Sequence, residues 1–596
     1  MLNKVASLKI LCIAVVMLCF FTACDKNVVP SAGVTATSTA TQKPILSNTP
    51  ESVNVPSGAV EGTVSGSAEC RIIFGETVTV IGSGATAEDG EVTVSSGGDY
   101  LISGASDDGQ IVVNAPSTDK VKLILNGVDL TSGKSSAIYV KSAEKVIIEL
   151  AEGSVNLLAD APQYELEAGS DEPNACVFAK DDLKIKGSGT LYVTGNYSKG
   201  ISTKDDMQIQ DGNIFVVAKD DAIRGKDSVQ IEGGALTLEA GGDGLRTSNT
   251  EQEGYIDIKG GSISIISALD AIQAETYINI SGGSITVKSG GGSENSSQSN
   301  DSWGDWGDMG PGMGGGKPGG MRPGGRSAEQ TASSETASAK GIKCEGTLTI
   351  SGGSFSLDTS DDAIHSNTVI NISGGSFNIL SGDDGIHADD TLTVSGGSGV
   401  IGKSYEGLEA ESIVLSGGKF DITSSDDGFN AAGGNDGSAM DRPGFGGFMG
   451  GGEAGSGSIS ISGGEYVLNA EGDGVDSNGN IEMTDGTVVV YGPVSGGNGA
   501  MDYAGTCKIN GGILCAVGSA GMAQTVSSDT QGCIGVQFNA KADTKVDITD
   551  ASGNVIFSIT SPKTFQTLVM SHPDLKKGTV YSVLANGEKL GEITAG

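Results

Sequence analysis

Two columns of residues in this 596-residue chain could do chemistry. The first recurs as an acid, then Gly or Ala, then an aliphatic residue, as in Asp221-Ala222-Ile223, Asp243-Gly244-Leu245, Asp362-Ala363-Ile364 and Asp384-Gly385-Ile386. Along the chain it reads Lys199, Asp221, Asp243, Asp270, Lys340, Asp362, Asp384, Glu406, Asp427 and Asp473, with a second acid just before it at Asp220, Asp361, Asp383 and Asp426. Further acidic turns stand at Asp181-Asp182, Asp205-Asp206 and Asp389-Asp390. An Asp before Gly suits a turn, because its side chain accepts hydrogen bonds from nearby amides. Stacked as a column, however, like charges ~4.8 Å apart repel by about 1 kcal/mol in water and about 3.5 kcal/mol at an effective dielectric of about 20. A divalent cation removes that repulsion, and Ca²⁺ accepts carboxylate oxygens in flexible geometry. The expected calcium ligands are therefore Asp220, Asp221, Asp243, Asp270, Asp361, Asp362, Asp383, Asp384, Glu406, Asp426, Asp427 and Asp473. The densest clusters are Asp361, Asp362, Asp383 and Asp384, then Asp220, Asp221 and Asp243.

The second column follows the aliphatic residue and reads Arg224, Arg246, Gln273, Lys343, His365, His387, Glu409, Asn430, Asp476 and Asp502. Its basic members are expected to point outward. Arg224, Arg246, Lys343, His365 and His387 would then contact an anionic polymer such as a uronate chain, with calcium bridging carboxylates. The competing reading is ion pairing with the acids beside them. Lys340 interrupts the acidic column. β-Elimination at a uronate needs a base near the C5 proton and a cation on the carboxylate, so Lys340 is the candidate base if the chain is a lyase. No other catalytic residue is expected.

These columns exist because the chain repeats. An I-x-I-S-G-G-S-x-x-I pattern places a glycine at 212, 234, 261, 283, 353, 375, 397, 418, 464, 486 and 512, with a recurring step of 22 residues broken by two large insertions. A fixed period of this length marks a solenoid. Within each unit apolar residues alternate with polar ones, as in Ile278-Asn279-Ile280 and Ile285-Thr286-Val287, which is the period of strands. Three short strands per unit of about 22 residues predict an all-β, right-handed parallel β-helix, each strand bonding to its equivalent one coil away. Ile223, Leu245, Ile272, Ile342, Ile364, Ile386, Leu408, Phe429 and Val475 form one inward column; Ile258, Ile280, Ile350, Ile372, Val394 and Ile461 form another. The glycines belong at corners that need positive φ or close backbone approach. A calcium β-roll would need a nine-residue Gly-Asp repeat, which is absent.

Composition agrees. Glycine contributes 95 residues and proline 14, without the triplet period of collagen. Asp plus Glu number 74 against 36 Lys plus Arg, for a net charge of -38, which excludes a basic nucleic-acid footprint. Residues 65–525 form the expected β-helix, with Gly-rich insertions at 289–339 and 433–457 expected as mobile loops; the first holds Trp303 and Trp306, for which a disordered loop is the favoured reading and stacking on sugar rings the alternative. Residues 526–596 alternate as strands, a small C-terminal β cap.

The N-terminus reads as a secretion signal: Lys4 and Lys9, an apolar run from Ile10 to Phe21, then Phe21-Thr22-Ala23-Cys24. The last four residues resemble a bacterial lipobox, so residues 1–24 are expected to be a lipoprotein signal peptide with Cys24 lipidated. Residues 25–64, rich in Ser, Thr and Pro, read as a stalk. The expected location is extracellular, lipid-anchored at the bacterial cell surface. Six cysteines remain beyond the signal with no zinc-type spacing; buried thiols are expected, with a disulfide among Cys507, Cys515 and Cys533 left open.

The chain resembles the bacterial cell-surface carbohydrate-binding β-helix proteins, similar in fold to family 9 polysaccharide lyases. The resemblance rests on Lys120-Val121-Lys122-Leu123-Ile124-Leu125-Asn126-Gly127-Val128, Asp171-Glu172-Pro173-Asn174-Ala175, Lys204-Asp205-Asp206, the Asp-Asp-Gly-Ile repeats, the Gly-rich loops and the tail. It spans residues 75–596 and implies binding of cellulose-like or acidic plant polysaccharides, with Ca²⁺ in the turns and no established catalysis. The expected protein is thus a calcium-binding, surface-anchored monomer that holds a polysaccharide, touching the membrane only through its lipid. A calcium-dependent pectate lyase and a non-catalytic structural adhesin are the alternatives.

Overall fold

In-register stacking of short strands decides the architecture. A computed structural model describes residues 35–36, 49–166, 169–251, 253–296, 338–431 and 457–596. Cys24, the signal segment, Trp303, Trp306 and most of both insertions lie outside the described residues. The chain folds as an all-β, right-handed parallel β-helix.

One coil shows the logic. Ile223–Gly225 is the first short strand, Ser228–Ile231 the second and Ala235–Ala240 the third. Each pairs in parallel with its equivalent in the next coil, Leu245–Arg246, Tyr255–Ile258 and Ser262–Ser267. The first inward column runs in register from Ile223 through Leu245, Ile272, Ile342, Ile364, Ile386, Leu408 and Phe429 to Val475. Ile272 pairs directly with Ile342, so the first insertion leaves the stack between two coils without breaking it. The second column runs Ile258, Ile280, Ile350, Ile372, Val394, Leu415, Ile461; sequence spacing had passed over Leu415. These side chains are buried, at most 3 % exposed, in one continuous core. Buried apolar surface contributes about 25 cal/mol per Å², and the column repeats that gain at every coil.

The corners follow from the glycines. All eleven repeat glycines named above have positive φ, from 75° at Gly512 to 121° at Gly212. At Gly375, φ is 102° and an added Cβ would sit 3.0 Å from the Phe377 ring.

The ends are closed differently. Cys70–Phe74 pairs in parallel with Gly98–Ser106, which pairs with Lys120–Thr131. Val60 and Thr63, at the end of the expected stalk, bridge antiparallel to Val155 and Glu152. At the other end Ile513–Gly518 of the last coil pairs antiparallel with Phe565–His572, itself paired with Gly532–Ala540. A second core joins Tyr491, Cys515 and Val517 of the coils to Phe557, Leu568 and Met570 of the tail. Antiparallel addition satisfies backbone groups that a bare last coil would expose. Cys70, Cys176, Cys344, Cys507, Cys515 and Cys533 are buried free thiols.

Gly375→Ala should lower stability by about 1–3 kcal/mol, because a Cβ is strained at this φ and crowds the ring. Gly497→Ala, where an added Cβ meets nothing, should be near neutral. Urea denaturation midpoints of the two variants check this.

Candidate functional site

The stacking brings the acidic column together as a ladder, and each carboxylate has a defined use. The Asp243 amide donates to Asp221 Oδ1 (3.3 Å), that of Asp270 to Asp243 Oδ1 (3.0 Å), and that of Lys340 to Asp270 Oδ1 (2.7 Å). The pattern continues from Asp384 to Asp362 Oδ1 (3.0 Å), Glu406 to Asp384 Oδ1 (3.0 Å), and Asp473 to Asp427 Oδ1 (2.6 Å). One oxygen of each of these aspartates therefore caps the next coil, the local role that turn chemistry anticipates. The other oxygen is left for the second column.

That column is in register as expected, Arg224, Arg246, Gln273, Lys343, His365, His387, Glu409, Asn430, Asp476 and Asp502. The exposed stripe expected of its basic members is corrected by burial. His365 and His387 are 3 % and 1 % exposed, and Arg224, Arg246 and Lys343 are half-buried. The physical reason is pairing three residues back along the chain. Arg224 Nη1 lies 3.4 Å from Asp221 Oδ2, Arg246 Nη1 2.8 Å from Asp243 Oδ2, and His365 Nδ1 2.9 Å from Asp362 Oδ2. Lys343 Nζ is 3.9 Å from Asp270 Oδ2, and His387 Nδ1 is 3.4 Å from both Asp384 Oδ2 and Glu409 Oε2. Ion pairing, the competing reading, accounts for these side chains.

The same pairing reaches into the two acid clusters that looked densest. Burial would push the Asp362 carboxyl up, but Lys340, His365 and His387 outweigh it and hold it well below the usual range. Burial would lower His387, but Asp362, Asp384 and Glu409 push it up to about 12. Asp220 is also held low, with the Lys199 ammonium on its carboxylate outweighing burial. Side-chain cations therefore offset the repulsion at Asp362 and Asp220, while Asp361, Asp362 and Asp383 still bring carboxylate oxygens within 4.8 Å of one another. Lys340 is corrected too. It is 6 % exposed, and its Nζ sits 2.8 Å from Asp361 and 2.6 Å from Asp362. A buried ammonium held between two carboxylates is a structural cation and not a base open to substrate.

Two further features emerge. Asp182, Asp205 and Asp206 bring carboxylate oxygens within 4.8 Å of one another, all half-buried. Burial, then Asp182, Asp206 and Asp227, push Asp205 up to about 6. Sequence reading saw these as turn acids but left them off the ligand set. The signal was the column opening the second strands, where Lys145 pairs with Asp182 and Asp206 with Ser228. The second feature is a groove of about 450 Å³ lined by Ser296, Lys403, Ser404, Tyr405, Ser424 and Glu471, among others. Its charges are internally balanced: Lys403 lies 3.7 Å from Glu294, and Glu471 3.0 Å from Lys563. Such a surface offers hydroxyls and one aromatic ring to a ligand that presents hydroxyls.

Lys340→Ala leaves Asp362 buried beside fewer cations and should cost about 3–5 kcal/mol of stability, read by denaturation. A pH series gives a second check. Burial and the Asp270 and Asp221 charges raise Asp243 from its ordinary 3.8 to about 7. A raised pKa favours the folded state below the unfolded value and loses that contribution as pH rises through the folded one. In chelator, Tm should therefore fall between pH 4 and about 7, and Asp243→Asn should flatten that slope.

The family model of carbohydrate-binding domain-containing proteins matches residues 88–385 and 383–558. A carbohydrate-binding domain-containing protein of Acetivibrio thermocellus is 42 % identical over 166 residues, 27 % of this chain and 58 % of that relative. The match thus spans just over half of the relative's length. A solved structure described as the polysaccharide lyase-like protein from C. thermocellum, a gadolinium derivative, is 40 % identical, covers 37 % of this chain and 92 % of its own, and superposes with a TM-score of 0.37. With more than half of its length matched, the chain belongs to the carbohydrate-binding domain family.

Proposed function

We propose that this protein is a surface-anchored, calcium-binding polysaccharide-binding protein, held to the bacterial envelope through a lipid on Cys24. The observation that carries the glycan-binding reading is the polar groove within the span matched by the family model. Its Ser hydroxyls and Tyr405 ring suit a polyhydroxylated chain, and its paired charges suit a neutral, cellulose-like plant-wall glycan. Calcium belongs to the Asp182–Asp205–Asp206 cluster, where three oxygen ligands converge on a half-buried site. That cluster also supports uronate-containing glycans as a second ligand class, through a cation shared between protein and sugar carboxylates. The lyase alternative loses its base, because Lys340 is locked in the ladder.

Co-sedimentation of the chain from residue 25 onward with insoluble cellulose, and with polygalacturonate in calcium or chelator, tests this. The wild type should pellet with cellulose, and Lys403→Ala/Tyr405→Ala should weaken that binding about 10-fold, a loss of about 1.4 kcal/mol. Pelleting with neither polymer would favour the structural adhesin; unchanged binding by the double variant would move the glycan off the groove. Cys24→Ala should release the protein from the membrane fraction.

A further inference from the structure

The ladder changes character along its length. Through the His387 coil, each acid of the first column faces a cation three residues later or in a neighbouring coil. Beyond it the offset is kept and the cation is lost. Glu406 is followed by Glu409, Asp427 by Asn430, and Asp473 by Asp476. Among the described residues, no Lys, Arg or His forms an ion pair with Asp427, Asp473 or Asp476. These three still bring carboxylate oxygens within 4.8 Å of one another. Asp427 is 9 % exposed. Two of their oxygens are already committed to the backbone, Asp427 Oδ1 to the Asp473 amide and Asp473 Oδ1 to the Gly499 amide.

Asn430 supplies an independent observation. It is 5 % exposed, its Nδ2 donates to Glu406 Oε2 (2.6 Å), and its Oδ1 has no donor. A buried carbonyl oxygen without a partner costs about 1–3 kcal/mol. The position sets which acids stand around that side chain. Asn430 stands three residues after Asp427, the offset at which Arg224, Arg246 and His365 reach Asp221, Asp243 and Asp362. It is also in register with Asp476 of the following coil. With Nδ2 turned back to the preceding coil, Oδ1 is left on the side of Asp427 and Asp476.

We propose that Asp427, Asp473 and Asp476, with the Asn430 side-chain oxygen, form a calcium site that replaces the side-chain cations of the preceding coils. All its ligands are oxygens, three of them carboxylates, the donor set of a hard divalent cation. The site is separate from the Asp182–Asp205–Asp206 cluster and rests on the calcium reading above only in the identity of the ion.

The test is calcium stoichiometry, measured by titration calorimetry on the chain from residue 25 onward after chelation, with thermal unfolding in parallel. Asp473→Asn/Asp476→Asn should bind one calcium fewer per chain than the wild type, with cellulose binding unchanged. Asn430→Arg should restore the arrangement of the Arg224 and Arg246 coils. It should raise the metal-free Tm and remove that same calcium. Equal stoichiometry in wild type and the Asp473/Asp476 variant would overturn the site, as would a calcium count untouched by Asn430→Arg. Loss of all calcium in Asp205→Asn/Asp206→Asn would also overturn it while leaving the calcium reading above intact. A wild type that binds no calcium would remove both calcium assignments, with glycan binding judged separately by sedimentation.

Discussion

The structure depends on register. Once coils of about 22 residues stack in parallel, every outward side chain stands about 4.8 Å from its equivalents above and below. An isolated Asp in a turn is unremarkable, but an Asp at one turn position of nearly every coil is a line of charge. The chain manages that line in two ways at once. One oxygen of each ladder aspartate caps an amide of the next coil, as Asp362 does for Asp384. Through the His387 coil the other oxygen meets a cation, as Asp243 meets Arg246. The ladder thus ties adjacent coils together, and the burial of Asp362, His365 and His387 is possible because each supplies what the others lack.

This places the chemistry of recognition away from the ladder. A buried, internally paired row has little to offer a polymer, whereas the groove beside Tyr405 is open, hydroxylated and balanced in charge. Two acid clusters stand apart from this pairing: Asp182–Asp205–Asp206, where Lys145 reaches Asp182 at 3.2 Å, and Asp427–Asp473–Asp476, which forms no ion pair among the described residues. Both are oxygen-only sets, and both lie where coil stacking forces carboxylates together. Cation binding and glycan binding are then separable properties of one solenoid.

Much of this was legible in the residues. The 22-residue spacing set the coil, and period-two alternation set which side chains point inward, so Ile223 through Val475 fell into one column without a gap. The repeat glycines were correctly placed at positive-φ corners, because only glycine accepts that backbone without strain. What periodicity could not supply was exposure. Alternation separates inward from outward, but an outward residue on a strand as short as Ile364–Ser366 can still be covered by the acids on either side, as His365 is. The same limit misassigned Lys340, which reads in sequence as a break in an acidic row and in three dimensions as its central cation. Asp182 and Asp205 escaped the ligand set because they belong to the neighbouring column, and only the register of the second strands brings them together. The docking of Phe565–His572 on the last coil is a long-range pairing that no local pattern announces.

The central claim is that side chains neutralise the ladder through the His387 coil and a bound cation does so beyond it. The most direct measurement is an anomalous difference map from a crystal of the protein grown in calcium. The account predicts a peak among Asp427, Asp473, Asp476 and Asn430, and none among Asp361, Asp362, His365 and His387. A peak on Asp361 and Asp362, or an empty Asp427–Asp473–Asp476 cluster in a crystal holding calcium at Asp205, would contradict it.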